Sequence, residues 1–348
     1  MKKRLIIVGA LAFTIAAIAF SIFVIQPPKP IIEITGEPLA KVGPLDILNT
    51  LFTAWVVIGI LLIIVFFATR KIAMIPSGFY NFFEALIEGI DTFIAGIAGQ
   101  KNGRRFFPLI ATFFIYITFA NWISLTPVFN TIGMYVELHE EESEFHSEAL
   151  VFKDGGVSLI PFGAKEVELH AEDCAAGPAG DECRHHAIDE ATAASAGEGE
   201  KVGVLFPFLR GINTDLMTPL SFAIFSAIFV EWWGISTLGF KRYASKFINF
   251  KGPIPFFVGI LETIAEIARL ISFSFRLFGN MLAGEILLLV MTFLVAVASP
   301  ILVIFYGLEL FVGAIQAFVF GTLTLVFAVL AVTAHDDHGH EGEEAHHH

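Results

Sequence analysis

The chain has 348 residues, of which 55% are hydrophobic and 16% charged. A soluble domain carries about 25% charged residues, so the composition sets aside an ordinary soluble enzyme and reads as an integral membrane protein. The net charge of −13 does not describe the apolar part, because residues 137–201 hold 17 Asp/Glu against 4 Lys/Arg and account for all of it.

Several apolar runs reach the roughly 20 residues that a helix needs to cross a bilayer. No period-2 alternation recurs at barrel spacing, so helices are favoured over a β-barrel. All eleven His lie outside the apolar runs. Five (His139, His146, His170, His185 and His186) sit in the acidic insert, and six follow Ala334.

Residues 1–26 begin MKKR and then run apolar. That run exceeds the roughly 7–15 residues of a signal-peptide core, so it reads as a retained signal-anchor helix, with cleavage as the alternative. Pro27, Pro28 and Pro30 end it, and 31–48 form a short polar connection. A second spanning helix is predicted over 50–69, stopping at Arg70-Lys71.

Residues 78–99 differ in kind. Phe79, Phe82, Phe83, Leu86, Ile87, Ile90, Phe93, Ile94 and Ile97 keep helical spacing, and Glu84, Glu88 and Asp91 share the other face. The pattern predicts an amphipathic helix at the membrane interface. Lys101, Arg104 and Arg105 follow, then a third spanning helix over 106–126. Beyond the insert, a fourth covers 219–240 and ends in Lys241-Arg242. The last third is two long apolar stretches, 253–298 and 301–334, joined at Ser299-Pro300.

Basic residues orient the chain. One cluster is Lys2, Lys3 and Arg4, a second is Arg70, Lys71, Lys101, Arg104 and Arg105, and a third is Lys241, Arg242, Lys246 and Lys251. All fall on one side if each of the four helices crosses once, and the positive-inside rule makes that side cytoplasmic. A 45-residue helix is roughly 65 Å long, against a hydrocarbon core of about 30 Å. The final pair is therefore expected to be tilted or broken, as an oblique hairpin.

The expected fold is an all-α membrane protein. It has four upright transmembrane helices, an amphipathic interfacial helix and a long, strongly tilted C-terminal helical hairpin. The expected segments are a signal-anchor helix at 1–26 and a first membrane part at 27–134. An acidic extracytoplasmic insert at 135–212 follows, then a second membrane part with the hairpin at 213–334 and a His-rich cytoplasmic tail at 335–348.

The first helix of the hairpin carries Glu262, Glu266, Arg269, Ser272, Arg276 and Asn280, spaced 4, 3, 3, 4 and 4. At about 100° per residue they share a sector of roughly 120°. A polar stripe on an apolar helix must face protein, water or a charged partner, and intramembrane charges mark functional sites. Arg276 is the deepest cation. It keeps its proton, so it cannot relay one, but it can force a nearby carboxyl to ionise. The plainer reading is an Arg–Glu pair with Glu266 or Glu262 that fixes packing.

Glu285 lies off this stripe, roughly 140° from Asn280. On the second helix Tyr306, Glu309, Gly313 and Gln316 share one face. Glu285 and Glu309 sit in apolar surroundings, where a carboxyl can take up and release a proton near neutral pH. The alternative is that one of them snorkels to an interface. Gly279, Gly284, Gly307, Gly313 and Gly321 are expected to permit close helix packing.

Ser272-Phe273-Ser274-Phe275-Arg276-Leu277-Phe278-Gly279-Asn280-Met281-Leu282-Ala283-Gly284-Glu285 closely resembles the signature S-L-x-x-R-L-F-G-N-x-x-A-G-E of F-type ATP synthase subunit a. Phe107-Pro108, Asn121 and Leu125-Thr126-Pro127 resemble a second stretch of that family. Asn213-Thr214-Asp215-Leu216 resembles its polar lead-in to the next helix, and Gln316-Ala317-Phe318 its Q-A-F segment.

The resemblance implies that Arg276 is the stator arginine facing the carboxylates of a ring of small rotor subunits (subunit c). It places Asn280 and Gln316 near Arg276 on the rotor-facing surface, and Glu285 and Glu309 along an aqueous half-channel. Glu262, Arg269 and Ser272 take further positions on the ion path, with Glu262 towards the cytoplasmic end. One of the Glu285 and Glu309 positions is commonly His in the family, and Leu270 replaces a common Pro. Implied partners are the rotor ring, peripheral stalk subunit b, other ATP synthase subunits and the lipid bilayer, with no nucleic acid. The implied location is a bacterial-type inner membrane, with proton transport coupled to ATP synthesis.

No cofactor is called for. The chain lacks G-x-x-x-x-G-K-[ST], so nucleotide chemistry belongs to partner subunits and the chain is no enzyme by itself. Cys174 and Cys183 are expected to form a local disulfide; a Cys/His metal site with His170, His185 or His186 fits no zinc spacing well. The tail reads as a solvated segment. The rival functions are a self-contained transporter, for which no internal repeat is visible, a membrane metalloenzyme built on the insert, and an assembly anchor.

Overall fold

The computed structural model describes residues 36, 38–42, 45–69, 79–126, 129–130, 132–137, 148–153, 157–158, 165–168, 200–247, 252–295 and 300–333. The expected helix at 1–26, the Cys174–Cys183 disulfide and the tail at 335–348 lie outside these residues.

Among the described residues six α-helices make up the membrane part: α1 Asn49–Thr69, α2 Phe79–Ser124, α3 Met217–Leu238, α4 Phe240–Phe247, α5 Pro253–Val295 and α6 Pro300–Thr333. All but α4 are long and apolar enough to cross a membrane. The all-α membrane class read from composition holds. α5 and α6 each begin at a proline, where the preset φ suits a first helical turn and the missing N–H is no loss. α3 ends at Gly239, whose φ of 81° lets its N–H donate to the Ile235 carbonyl at 2.8 Å. Positive φ is the conformation that favours glycine at a helix end.

The break expected between the amphipathic helix and the third span falls inside α2. Gly99 adopts φ 72°, ψ 162° and divides two helical runs. Everything before Gly99 carries the acidic face, and Lys101, Arg104 and Arg105 open the second run. Pro108 lies within that run, where it removes one ladder hydrogen bond. The Thr112 hydroxyl donates to the Pro108 carbonyl at 2.6 Å.

Strands occur only outside the helices among the described residues. β1 Pro38–Val42 pairs antiparallel with β2 Leu45–Leu48, so the polar connection is a hairpin. The acidic insert contains a sheet that its Glu-rich sequence did not announce. It comprises β3 Gly133–Glu137, β4 Glu148–Lys153, β5 Val157–Ser158, β6 Lys165–Glu168 and β7 Glu200–Pro207, in the order β5-β3-β7-β4-β6. Every pairing is antiparallel. These strands are two to eight residues long, too short for their alternation to stand out from the charge around them.

The chain packs as two compact units. One draws on Met1–Val56, Asn121–Asp215 and Met281–Val312; the other on Val57–Ala120, Leu216–Asn280 and Gly313–His348. The second unit holds an aromatic-rich core of Ile94, Phe106, Ile110, Val230, Trp233, Leu325 and Ala328. Phe106 packs against Trp233 with the rings tilted and 4.5 Å between centroids. Phe320 of α6 meets Phe113 of α2 at 5.2 Å and Phe273 of α5 at 5.4 Å. Ser226 and Thr324 share a buried 2.9 Å hydrogen bond.

The short helix α4 is locked to α3 by one small residue. A Cβ built at Gly234 would fall within the Tyr243 ring, and Tyr243 is buried. Gly234→Ala is therefore expected to expel that ring and destabilise the protein by about 1–3 kcal/mol, the usual cost of overpacking. A thermal melt of purified protein in detergent checks this; an unchanged midpoint would contradict it.

Candidate functional site

In the second unit the stripe on α5 keeps the order read from its spacing. Glu262, Glu266 and Arg269 are half-buried, while Ser272, Arg276 and Asn280 are exposed. The two cations have different surroundings. Arg269 donates to the Glu266 carboxylate at 2.6 Å and lies over the Phe327 ring at 3.7 Å. A carboxylate and an aromatic face together satisfy most of what a guanidinium seeks.

Arg276 has no hydrogen-bond or ion-pair partner among the described residues. The pairing of Arg276 with Glu266 is thus corrected: Glu266 is held by Arg269. Helix geometry gives the reason. Ten residues of α-helix rise about 15 Å, too far for an ion pair, whereas residues three apart are neighbours. The faces of α5 away from the stripe are apolar, with Ile264, Ile267, Ile271 and Phe275 each more than half exposed.

Asn280, one turn past Arg276, donates to Gln316 Oε1 at 2.9 Å. Gln316 is buried. The two amides, placed together by the resemblance, are hydrogen-bonded across α5 and α6. Gly279 has open space where a Cβ would stand, as does Gly307. The expectation that these two glycines permit close helix packing is corrected for the described chain.

The first unit holds the two carboxyls. Glu309 is buried, and a Cβ built at Gly284 would overlap its carboxyl group. Gly284 is therefore the position that admits Glu309 against α5. Glu285 accepts a hydrogen bond from Asn130 Nδ2. Glu285 Oε2 and Glu309 Oε1 are buried without a hydrogen-bond partner among the described residues. Such an oxygen costs about 1–3 kcal/mol, which purely structural positions avoid.

Asn130 was not singled out from the sequence. Its signal is conformational: φ is +57°, which Asn tolerates better than most residues, and this aims its amide at Glu285. The lead-in segment is also more than a polar turn. Asn213, Thr214 and Asp215 are all buried, with Arg210 close by in sequence. Asn213 donates to Asn121 Oδ1 at 2.6 Å and Thr50 donates to Asp215 Oδ2 at 3.0 Å. The Arg210 backbone N–H donates to Thr53 at 3.1 Å. These bonds tie the start of α1 and the end of α2 to the segment before α3.

The S-F-S-F-R-L-F-G-N-M-L-A-G-E run supplies an arginine unpaired among the described residues, the asparagine of the Asn–Gln bridge and the half-buried Glu285. Residues 51–329 match the family described as ATP synthase A chain. The chain belongs to this family. It is similar to the ATP synthase subunit a of Gloeobacter violaceus (strain ATCC 29082 / PCC 7421), with 28% identity over 314 residues covering 90% of this chain and 96% of that one. It is also similar to the ATP synthase subunit a of Moorella thermoacetica (strain ATCC 39073 / JCM 9320), with 25% identity over 293 residues covering 84% and 94%. The ATP synthase A chain match takes in every residue of the stripe, Glu285, Glu309 and the whole acidic insert. It leaves 1–50 and the last 19 residues outside.

Proposed function

We propose that this member of the ATP synthase A chain family is the static, ion-translocating subunit of a rotary F-type ATP synthase. It offers two half-channels to a rotor ring, and its transport of protons is coupled to ATP synthesis. The observation that carries this reading is the contrast between two arginines on one helix: Arg269 is neutralised within the chain, and Arg276 is not. A charge at mid-membrane costs several kcal/mol unless compensated. An exposed Arg276 on an otherwise apolar helix therefore calls for an anion supplied by another molecule.

The expected partner is a ring of small subunits, each bearing one carboxyl. A proton enters along Glu285 and Glu309 and neutralises a ring carboxylate, which can then turn into lipid. Near Arg276 the carboxylate ionises again and the proton leaves on the side of Glu262, Arg269 and Ser272. Arg276 keeps its own proton and repels passing ones, so it blocks leakage between the two paths. Asn280 and Gln316 hold the surface beside it.

The 43-residue α5 is about 65 Å long, so it lies oblique in a core of about 30 Å. Within the assembly 1–26 serves as an anchor helix and 27–134 and 213–334 form the membrane part. The insert at 135–212 lies outside a bacterial-type inner membrane, and the tail at 335–348 faces the cytoplasm. Peripheral stalk subunit b and the nucleotide-binding subunits complete the complex, and ATP chemistry belongs to the latter.

The test is a Gly279→Cys variant, which places a thiol on the open face one turn from Arg276. In native membranes it is expected to crosslink to a small membrane protein carrying a mid-helix carboxyl. Crosslinks only to unrelated proteins, with complex assembly intact, would overturn the reading.

A further inference from the structure

The carboxyl of Glu285 meets a part of the chain that the resemblance does not name. Two stems connect the acidic insert to the membrane part, one leading into β3 and one following β7. The Asn130 backbone N–H donates to the Leu209 carbonyl at 2.9 Å, and the Phe208 N–H donates to the Ile132 carbonyl at 2.9 Å. Gly133 pairs with Pro207, so the β3–β7 pairing extends into the stems. Asn130 lies on one stem, and Gly211 lies two residues past Leu209 on the other. Both reach Glu285. Asn130 Nδ2 donates to its Oε1, and a Cβ built at Gly211 would stand 3.5 Å from its Oε2.

We propose that Asn130 is a positioning residue for proton uptake at Glu285: its amide holds Oε1 and leaves Oε2, beside Gly211, as the oxygen that takes the travelling proton. The proposal rests on the ion-translocating function given above.

The two oxygens of Glu285 have different surroundings. Oε1 has a donor, whereas Oε2 is buried and has no hydrogen-bond partner among the described residues. A buried acceptor left without a donor is avoided where the role is only structural. Gly211 carries no side chain that could cover Oε2. Thr214, which lies against Gly211, commits its hydroxyl proton to the Gly211 carbonyl at 2.8 Å.

An asparagine suits a holder and not a carrier. An ionised carboxylate only accepts, so the amide presents its N–H to it. An amide does not titrate where carboxyls do, so Asn130 cannot compete for the proton. Its φ of +57° is one that Asn adopts more readily than most residues, and the bond to Leu209 fixes the backbone there. The second stem is anchored to α1 in turn. Asn49 Nδ2 donates to the Pro207 carbonyl at 3.3 Å, and the Arg210 N–H donates to the Thr53 hydroxyl at 3.1 Å. The aim of the amide is thus set by the stems. In the proton step Oε2 gains a proton on uptake and loses it on release, and no other bond is made or broken.

The experiment measures proton conduction through membranes of the assembled complex stripped of its nucleotide-binding part. Asn130→Gly keeps the positive φ and removes the amide. It is expected to slow conduction about 2–3-fold, the weight of one hydrogen bond, with subunit assembly unchanged. Glu285→Asp keeps a carboxyl but stops one methylene short of Asn130. Adding Asn130→Gly to it should therefore slow conduction by less than about 1.5-fold further, because the contact is already broken. Wild-type conduction in Asn130→Gly would overturn the inference, since the backbone conformation alone would then matter. Loss of assembly in Asn130→Gly, or the same fold loss in the wild-type and Glu285→Asp backgrounds, would also overturn it and mark a packing role. Glu285→Gln, measured in parallel, separates the two readings. If it conducts at the wild-type rate, the path along Glu285 fails; if it is slow while Asn130→Gly is unaffected, only the role of Asn130 does.

Discussion

Replacing Arg276 by Ala is expected to reduce proton-driven ATP synthesis at least about 100-fold while leaving assembly and thermal stability unchanged. The stability half of this expectation follows from the surroundings. Arg276 is exposed and bonds to no described residue, so its removal orphans no group, and surface changes of this kind stay within about 0.5 kcal/mol. The activity half follows from electrostatics. Without a fixed cation nothing favours ionisation of an incoming carboxylate at that place. A 100-fold loss corresponds to about 2.7 kcal/mol, within what one compensated charge in apolar surroundings supplies.

Arg269→Ala is the control. It removes a 2.6 Å ion pair and a cation–π contact at once, so it should lower the thermal midpoint as well as the rate. Synthesis in membranes, with subunit content measured alongside, distinguishes the two. If the Arg276 variant retained coupled synthesis with normal subunit content, the proposed role would be lost. Arg276→Lys keeps the charge but not the planar fork, so its residual activity reports how much of the effect is charge alone.

A non-additive pair is expected at Gly284 and Glu309. Glu309→Gln preserves volume and hydrogen bonding but carries no proton, and it should cut proton pumping about 10-fold or more. Gly284→Ala introduces a Cβ where the Glu309 carboxyl now lies. The carboxyl is the flexible end of its side chain, so it swings aside rather than breaking the helix contact, and pumping should fall several-fold. Both changes act on one group. The double variant should therefore be no worse than Glu309→Gln alone, a coupling of about 0.5–3 kcal/mol. Full additivity of the two losses would show that Gly284 acts through something other than Glu309. Glu285 needs a separate reading, because Asn130 bonds to one of its oxygens and Asn130→Ala should weaken pumping less than either change.

Much of this protein was legible in its sequence because helix periodicity is local. The apolar runs gave five of the spanning helices to within a few residues, and the change from a two-faced pattern to an all-apolar one placed a break where Gly99 turns. The stripe from Glu262 to Asn280 followed from spacing alone. The short strands of the insert were not visible, since two to eight residues amid dense charge carry little alternation.

What periodicity could not provide was the identity of partners. It puts Arg269 within reach of Glu266 and is silent on the Phe327 ring that covers Arg269 and on what Arg276 meets. It makes Gly279 and Gly284 alike, although one faces open space and the other faces Glu309. Contacts of this kind across different helices are set by which faces meet in three dimensions. The sequence by itself determined the membrane class, the stripe and the position of Arg276. Only the tertiary structure decided that Phe327 of α6 covers Arg269 while no described residue pairs with Arg276, because such contacts depend on distance in space.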